Sequence, residues 1–249
     1  MSGLHFAVSD LVSEIGALRS IAAKFIAIGG DNVLRKAESD LINISARHAA
    51  NVPWEIKEDL PLRSVVSEGD YMRGGGQRFV FAELSFVWGL TPIRESGDSR
   101  PARIVELAGL ASTKIRLMEG EPEDWSSAEE LAMWRIEVAV ADSPGTHFHV
   151  QILGGDENPP FPKSVDVPRL PSLVVSPFAS MEFAISELFQ TEWAKHSSAS
   201  GGAMNLWRGI QGRRMERQLE WHLKALSDSS ASPWSALKAA KPPSGLFLQ

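Results

Sequence analysis

Residues 146–155 read THFHVQILGG: two histidines alternating with apolar residues, then a glutamine and two glycines. On a β-strand, alternation puts His147, His149 and Gln151 on one face and Phe148, Val150 and Ile152 on the other, toward a core. An imidazole is a nucleophile and general base near neutral pH and the commonest protein metal ligand. Histidines two apart on a strand can both reach one ion. A carboxylate across a hairpin, here Glu137, would be a third ligand. Such a set suits a divalent metal such as zinc or iron, with Asp156 and Glu157 just past the strand. The plainest reading is different: a polar face on a hairpin whose other face is core simply meets solvent.

The hairpin itself is legible. Trp134, Ile136 and Val138 alternate with Arg135 and Glu137, and Asp142-Ser143-Pro144-Gly145 is a strong turn signal. With the loop at 142–146, Ala139 falls opposite His149, Glu137 opposite Gln151, and Arg135 opposite Leu153. Arg135 and Glu137 then share the histidine face. Further on, Pro168-Arg169-Leu170-Pro171 holds one cation on a rigid segment. Arg135 and Arg169 are therefore the candidates for an anionic ligand, with an internal ion pair as the commoner fate of such an arginine.

The run His-φ-His-φ-Gln-φ-φ-Gly-Gly (φ apolar) resembles the signature of the histidine-triad superfamily, one nucleotidyl-transferase branch of which has glutamine in the third place. The resemblance covers about nine residues. It implies a small phosphoryl- or nucleotidyl-handling enzyme in which His149 attacks the α-phosphorus of a nucleotide, with His147 and Gln151 supporting it.

Other catalytic signatures are missing from the sequence. There is no Gly-x-Ser-x-Gly elbow, no His-Glu-x-x-His and no calcium loop. The glycines at 74–76 lead into a strand pattern rather than a helix, so they do not form a phosphate cradle. With no cysteine among 249 residues, disulfides, thiolate metal sites and cysteine nucleophiles are excluded. The net charge of −6 gives no global attraction to nucleic acid or anionic lipid. The one locally basic region is 203–226, where Arg208, Arg213, Arg214, Arg217 and Lys224 accompany Trp207 and Trp221. If nucleic acid binds, it binds there. The helical reading instead buries a Met215, Leu219, Leu223 and Leu226 stripe and leaves the arginines in solvent.

Around this hairpin the periodicities change. Residues 8–28 carry a helical stripe of Leu11, Ile15, Leu18, Ala22 and Phe25. Gly29-Gly30 ends it, and Asp31 starts a second helix lined by Val33, Ala37, Leu41 and Ile44. Residues 62–66 and 79–88 read as strands, and 102–108 and 112–118 as two more. Ser126 with Glu129 resembles a capping box that predicts a helical turn. Six of the fifteen prolines fall in 156–177, an extended connection. Ser176-Pro177 opens a helix bearing Phe178, Met181, Ile185, Leu188, Phe189 and Trp193. Another helical region follows at 203–226, with Gly209 and Gly212 as points of interruption.

Helices, then strands, then helices predict an α+β fold. An antiparallel sheet at about 62–153 is flanked by an N-terminal helical hairpin (8–50) and C-terminal helices (178–226). Residues 1–226 form one domain and 227–249 a partly ordered tail. No apolar run approaches the roughly 20 residues of a membrane span, and the N-terminus lacks a signal-peptide pattern. The expectation is a soluble, cytoplasmic chain without a membrane partner. Without a complete catalytic set, and with eight tryptophans and amphipathic terminal helices, the leading functional expectation is a non-enzymatic binding or assembly subunit. Its partner would be another protein or a second copy of the chain.

Overall fold

A computed structural model describes residues 3–67, 78–95, 97, 99–121, 124–139, 145–153, 169–199 and 201–248. The glycines at 74–76, the turn residues 142–144, Gly154 and Gly155, and 156–168 of the proline-rich connection lie outside the described residues.

The architecture is α+β, as the order of periodicities predicts. The sheet is antiparallel and built on one long hairpin, β4 (Val80–Ile93) with β5 (Ile104–Glu119). β2 (Val52–Ile56) and the two-residue β3 (Leu62–Arg63) pair along the outer side of β4. On the far side of β5, β1 (Leu4–Ala7) pairs with residues 104–107, while β6 (Glu129–Val138) pairs with 112–119. β7 (Phe148–Leu153) and β8 (Leu170–Pro171) then extend the sheet from β6. The sheet therefore begins well before residue 62 and continues past 153.

The sequence splits β5 in two because the alternation breaks. The register against β4 shifts between Trp88 and Leu90, opposite a β5 segment in which Gly109 has φ +114°. A bulge of this kind adds residues without ending the strand. The Ser126–Glu129 pattern is not a helix. Ser126 and Ser127 instead donate to the Asp124 carboxylate at 2.8 and 2.7 Å, making a turn from which β6 starts at Glu129. The short polar side chains satisfy an Asx-type turn, which uses the same residue types as a cap.

One face of the sheet carries Leu84, Phe86 and Trp88 of β4, with Ile115, Ile136 and Phe148 in register-matched positions. The helices pack on this face. α1 (Val8–Ile21) and α2 (Gly30–Ala46) turn at Gly29, whose φ of +91° suits glycine. The predicted stripe of Leu11, Ile15, Leu18, Ala22 and Phe25 is buried. α3 (Pro177–Ser197) starts as its sequence demands, Ser176 accepting from the amide of Ala179 with proline in the first turn. Its Phe178 meets Trp54 and Phe86 at ring distances of 5.9 and 5.8 Å.

α4 (Gly202–Ser227) runs unbroken through Gly209 and Gly212. The C-terminal segment expected as a tail carries α5 (Pro233–Ala239), and beyond it Leu246 and Phe247 are buried in the main core. Phe247 stacks on Phe6 at 5.3 Å and meets Phe148 at 5.8 Å. No described helix is long and apolar enough to cross a membrane.

Candidate functional site

The hairpin register differs from the expected one by two residues. Glu137 pairs with His149 and Arg135 with Gln151, and the amide of Ala139 donates to the carbonyl of His147. The pairing is thus centred on position 143 rather than 144. Because a shift of two preserves the parity of every side chain, the expected face survives the error.

Opposite the helices, two rows cross the sheet. Lys114, Arg135 and Gln151 are successive partners on β5, β6 and β7, and Ser112, Glu137, His149 and Pro171 form the adjacent row, reaching β8. Arg169 precedes Pro171 by two residues, so alternation sets it on the same face beyond Gln151. The structure therefore brings Arg135, Glu137, His149, Gln151 and Arg169 together.

Their contacts are specific. Arg135 Nη2 donates to Gln151 Oε1 at 2.6 Å, and Arg135 Nε lies 3.0 Å from Glu137 Oε1. His149 Nδ1 donates to the carbonyl of Thr146 at 3.0 Å, which requires the proton on that nitrogen, since a carbonyl has none to give. His149 Nε2 lies 3.3 Å from Glu137 Oε2. Neither Arg135 Nε nor His149 Nε2 is aligned for a hydrogen bond, and both are buried, as is the unbonded Arg169 Nε. These are close contacts rather than closed hydrogen bonds. The carboxyl of Glu137 is held below its ordinary range by contact with His149, with Arg135 and Arg169 adding to the effect against the opposing pull of burial.

His147 goes elsewhere. It precedes β7, and its ring meets Phe148 at 5.0 Å and Trp221 of α4 at 6.5 Å, both edge-on. Its Nε2 is buried and unbonded. Burial, with the nearby His149 adding, pushes its pKa down to about 4. His147, His149 and Glu137 do not converge on a common point, and no three His, Asp or Glu side chains among the described residues are placed to hold a metal ion. His149 itself is 1% exposed, so its ring faces protein rather than an open site.

A second arrangement is not marked by the apolar pattern. α4 docks through Met204, Trp207 and Ile210 together with Gln211, Arg214 and Gln218. Gln211 and Arg214 bury because Glu14 of α1 is itself fully buried. Glu14 accepts from Gln211 Nε2 at 2.7 Å, from Arg214 Nη1 at 2.6 Å and from the Ser176 hydroxyl. Gln218 Nε2 donates to the carbonyl of Ser172 at 2.6 Å. The signal was in the spacing: residues 211, 214 and 218 share one helical face.

The consequence reverses the expected orientation of α4. Met215, Leu219, Leu223 and Leu226, read from sequence as its buried stripe, are 37%, 45%, 66% and 36% exposed. The helix turns its polar donors inward to the Glu14 carboxylate, and the leucine stripe is left outward. Beside it, a cavity of about 600 Å³ lies between the second half of α4 and residues 240–246, with Trp221, Ala225, Pro243 and Leu246 in its wall. Its charged residues are of both signs, Arg217, Lys224 and Lys241 against Glu220 and Asp228, so it has no strong preference for an ion.

Compared with models of known families, with curated proteins and with solved structures, the chain matches none.

Proposed function

We propose that this chain is a non-enzymatic binding or assembly subunit whose contact surface is the outward stripe of α4. The observation that carries the reading is the inversion of that helix: Arg214, Gln211 and Gln218 are inside while Met215, Leu219, Leu223 and Leu226 face out. Steps of four, four and three residues make a straight seam about 16 Å long, the spacing by which an amphipathic helix meets another helix. Glu216 and Glu220 flank the stripe, with Lys224 beyond them, and such a polar border is typical of a contact patch. The partner is a protein offering an apolar helical face, and a second copy of this chain is the first to test. The burial of the His149 ring weighs against the nucleotidyl-transfer alternative, which needs that imidazole at a phosphorus atom.

The test is site-specific photocrosslinking in the producing cell, with the reactive side chain placed at Leu219 or, as a control, at Arg213, combined with sedimentation equilibrium of the purified chain. The expected result is one discrete adduct from position 219 and not from 213, either to a second copy or to one other protein. A monomer at every concentration with no adduct from 219 would refute the proposal.

A further inference from the structure

We infer that the β6–β7–β8 face binds a phosphate-type oxyanion between Arg135 and Arg169, above Gln151. This site is on the opposite face of the sheet from α4 and does not depend on the role of the leucine stripe.

The register carries the inference. Arg135 pairs with Gln151 across β6 and β7, and His149 with Pro171 across β7 and β8. Arg169, two residues before Pro171, therefore stands beyond Gln151 on the same face. Neighbouring strands are about 4.8 Å apart, so the two arginine stems flank Gln151 from either side, one strand away each. Long planar forks on such stems reach a single tetrahedral oxyanion from two directions, the geometry at which arginine outperforms lysine.

The donors are present and incompletely occupied. Gln151 Oε1 is turned to Arg135 Nη2, which leaves its amide nitrogen pointing away from that arginine. Arg169 Nε is buried without a hydrogen bond, and Arg135 Nε meets only the poorly aligned Glu137 carboxylate at 3.0 Å. An unsatisfied buried donor is costly, and an arriving oxygen removes the cost. Among the described residues, positive charge is also in excess at this face. Glu58 is occupied by Lys114, and Glu83 by Arg63 and Arg116. Among the described residues, the carboxylate set against the two permanent cations at 135 and 169 is that of Glu137, itself also facing His149. Glu137 and His149 form the adjacent row, and they hold Arg135 in place rather than meeting the ligand.

The stem of Arg169 is aimed by the hairpin loop. A Cβ added at Gly145 would come within 2.4 Å of Arg169 Cδ and 2.9 Å of its Cβ. Glycine at 145 lets the loop backbone lie directly on that stem, so the two features belong to one arrangement.

The experiment titrates the full chain with inorganic phosphate, with chloride at matched ionic strength as control, and follows the side-chain amide resonances of Gln151 and the Nε resonances of the arginines. Arg135→Gln, Arg169→Gln and Arg116→Gln are compared, the last an arginine on the same face bonded to Glu83. Saturable shifts at Gln151 are expected with the wild type. Arg135→Gln and Arg169→Gln should weaken binding by about tenfold or more, and Arg116→Gln should not. A parallel titration with 5′-AMP separates the sources of the oxyanion: tighter binding than phosphate assigns the site to a nucleotide-borne group, and equal binding to the free ion. If Arg135→Gln does not fold, Arg169→Gln and Gly145→Val, which displaces the Arg169 stem, carry the test. No saturable shift with phosphate, or equal binding by Arg169→Gln and Arg116→Gln, overturns the inference.

Discussion

Glu14 and Arg214 form an ion pair with almost no access to water: their side chains are 0% and 7% exposed. A buried pair gains little overall, because desolvation offsets its attraction, but removing one partner strands the other charge. Glu14→Ala is therefore expected to destabilise the fold by about 3–5 kcal/mol, while Glu14→Leu combined with Arg214→Met costs markedly less, both measured by urea unfolding. His147 gives a second expectation. Its neutral ring is favoured by burial, with a folded pKa of about 4 against 6.5 for the free side chain. Above that free value neither state binds the proton. Between the two values the unfolded chain takes it up and the folded chain does not, so stability falls as pH falls. For this half-buried ring the loss is about 2 kcal/mol across the window. Glu137, whose carboxyl is lowered mainly by His149, adds acid sensitivity of the same sign. The informative quantity is thus a difference: the drop in stability between neutral pH and the bottom of the window should be smaller in His147→Phe than in the wild type.

At the scale of elements, the stripe of α4 is expected to be energetically quiet in the isolated chain. Leu219→Glu and Leu223→Glu should each change unfolding stability by less than about 0.5 kcal/mol, whereas Trp207→Ala, on the buried side of the same helix, should cost about 3–5 kcal/mol. A large loss from Leu223→Glu would place that side chain inside. This helix also shows where the sequence was legible and where it was not. α1, α2 and α3 are readable because, Glu14 of α1 apart, what they bury is mainly apolar, so the apolar stripe and the buried face coincide. α4 misleads because its partner surface contains a charge: the need of Glu14 for donors outranks four leucine-class side chains, and Glu14 sits in another helix 200 residues away in sequence. The hairpin behaves similarly. Alternation along β6 and β7 gave the right faces, and with them Arg135, Glu137, His149 and Gln151 on one side, because parity is local. The pairing was off by two because the position of the turn's centre is not encoded in alternation. His147 left the expected face because it lies just before β7, at the frayed end of the pairing, where the pleat dictates direction less strictly. β1, β2 and β8, at two to five residues each, are too short for a period of two to declare itself.

For the molecule as a whole, the two ends of the chain close one core. The amide of His5 donates to the carbonyl of Ser244 at 2.7 Å, and Phe247 lies between Phe6 of β1 and Phe148 of β7. Phe148 in turn meets Trp221 of α4 at 5.6 Å. The arginine of the Glu14 network is drawn into the same cluster, with its guanidinium 5.7 Å from the Phe6 ring. The C-terminal segment thus connects the first strand, the histidine strand and the inverted helix, and its anchor is a single aromatic ring, 3% exposed. Truncating such a ring removes its transfer energy and leaves a cavity that flanking aromatics fill only in part. Phe247→Ala is expected to cost about 3–5 kcal/mol. The loss should affect the whole unit rather than a frayed end, because the contacts reach β1, β7 and α4 together. Unfolding followed by tryptophan fluorescence and by far-ultraviolet circular dichroism should therefore give coincident curves in both proteins, with the midpoint lowered in Phe247→Ala and the denaturant slope unchanged. A cost below about 1 kcal/mol, or a separate early transition confined to Trp234 and its surroundings, would instead make residues 227–249 an appendage to a core that is complete without them.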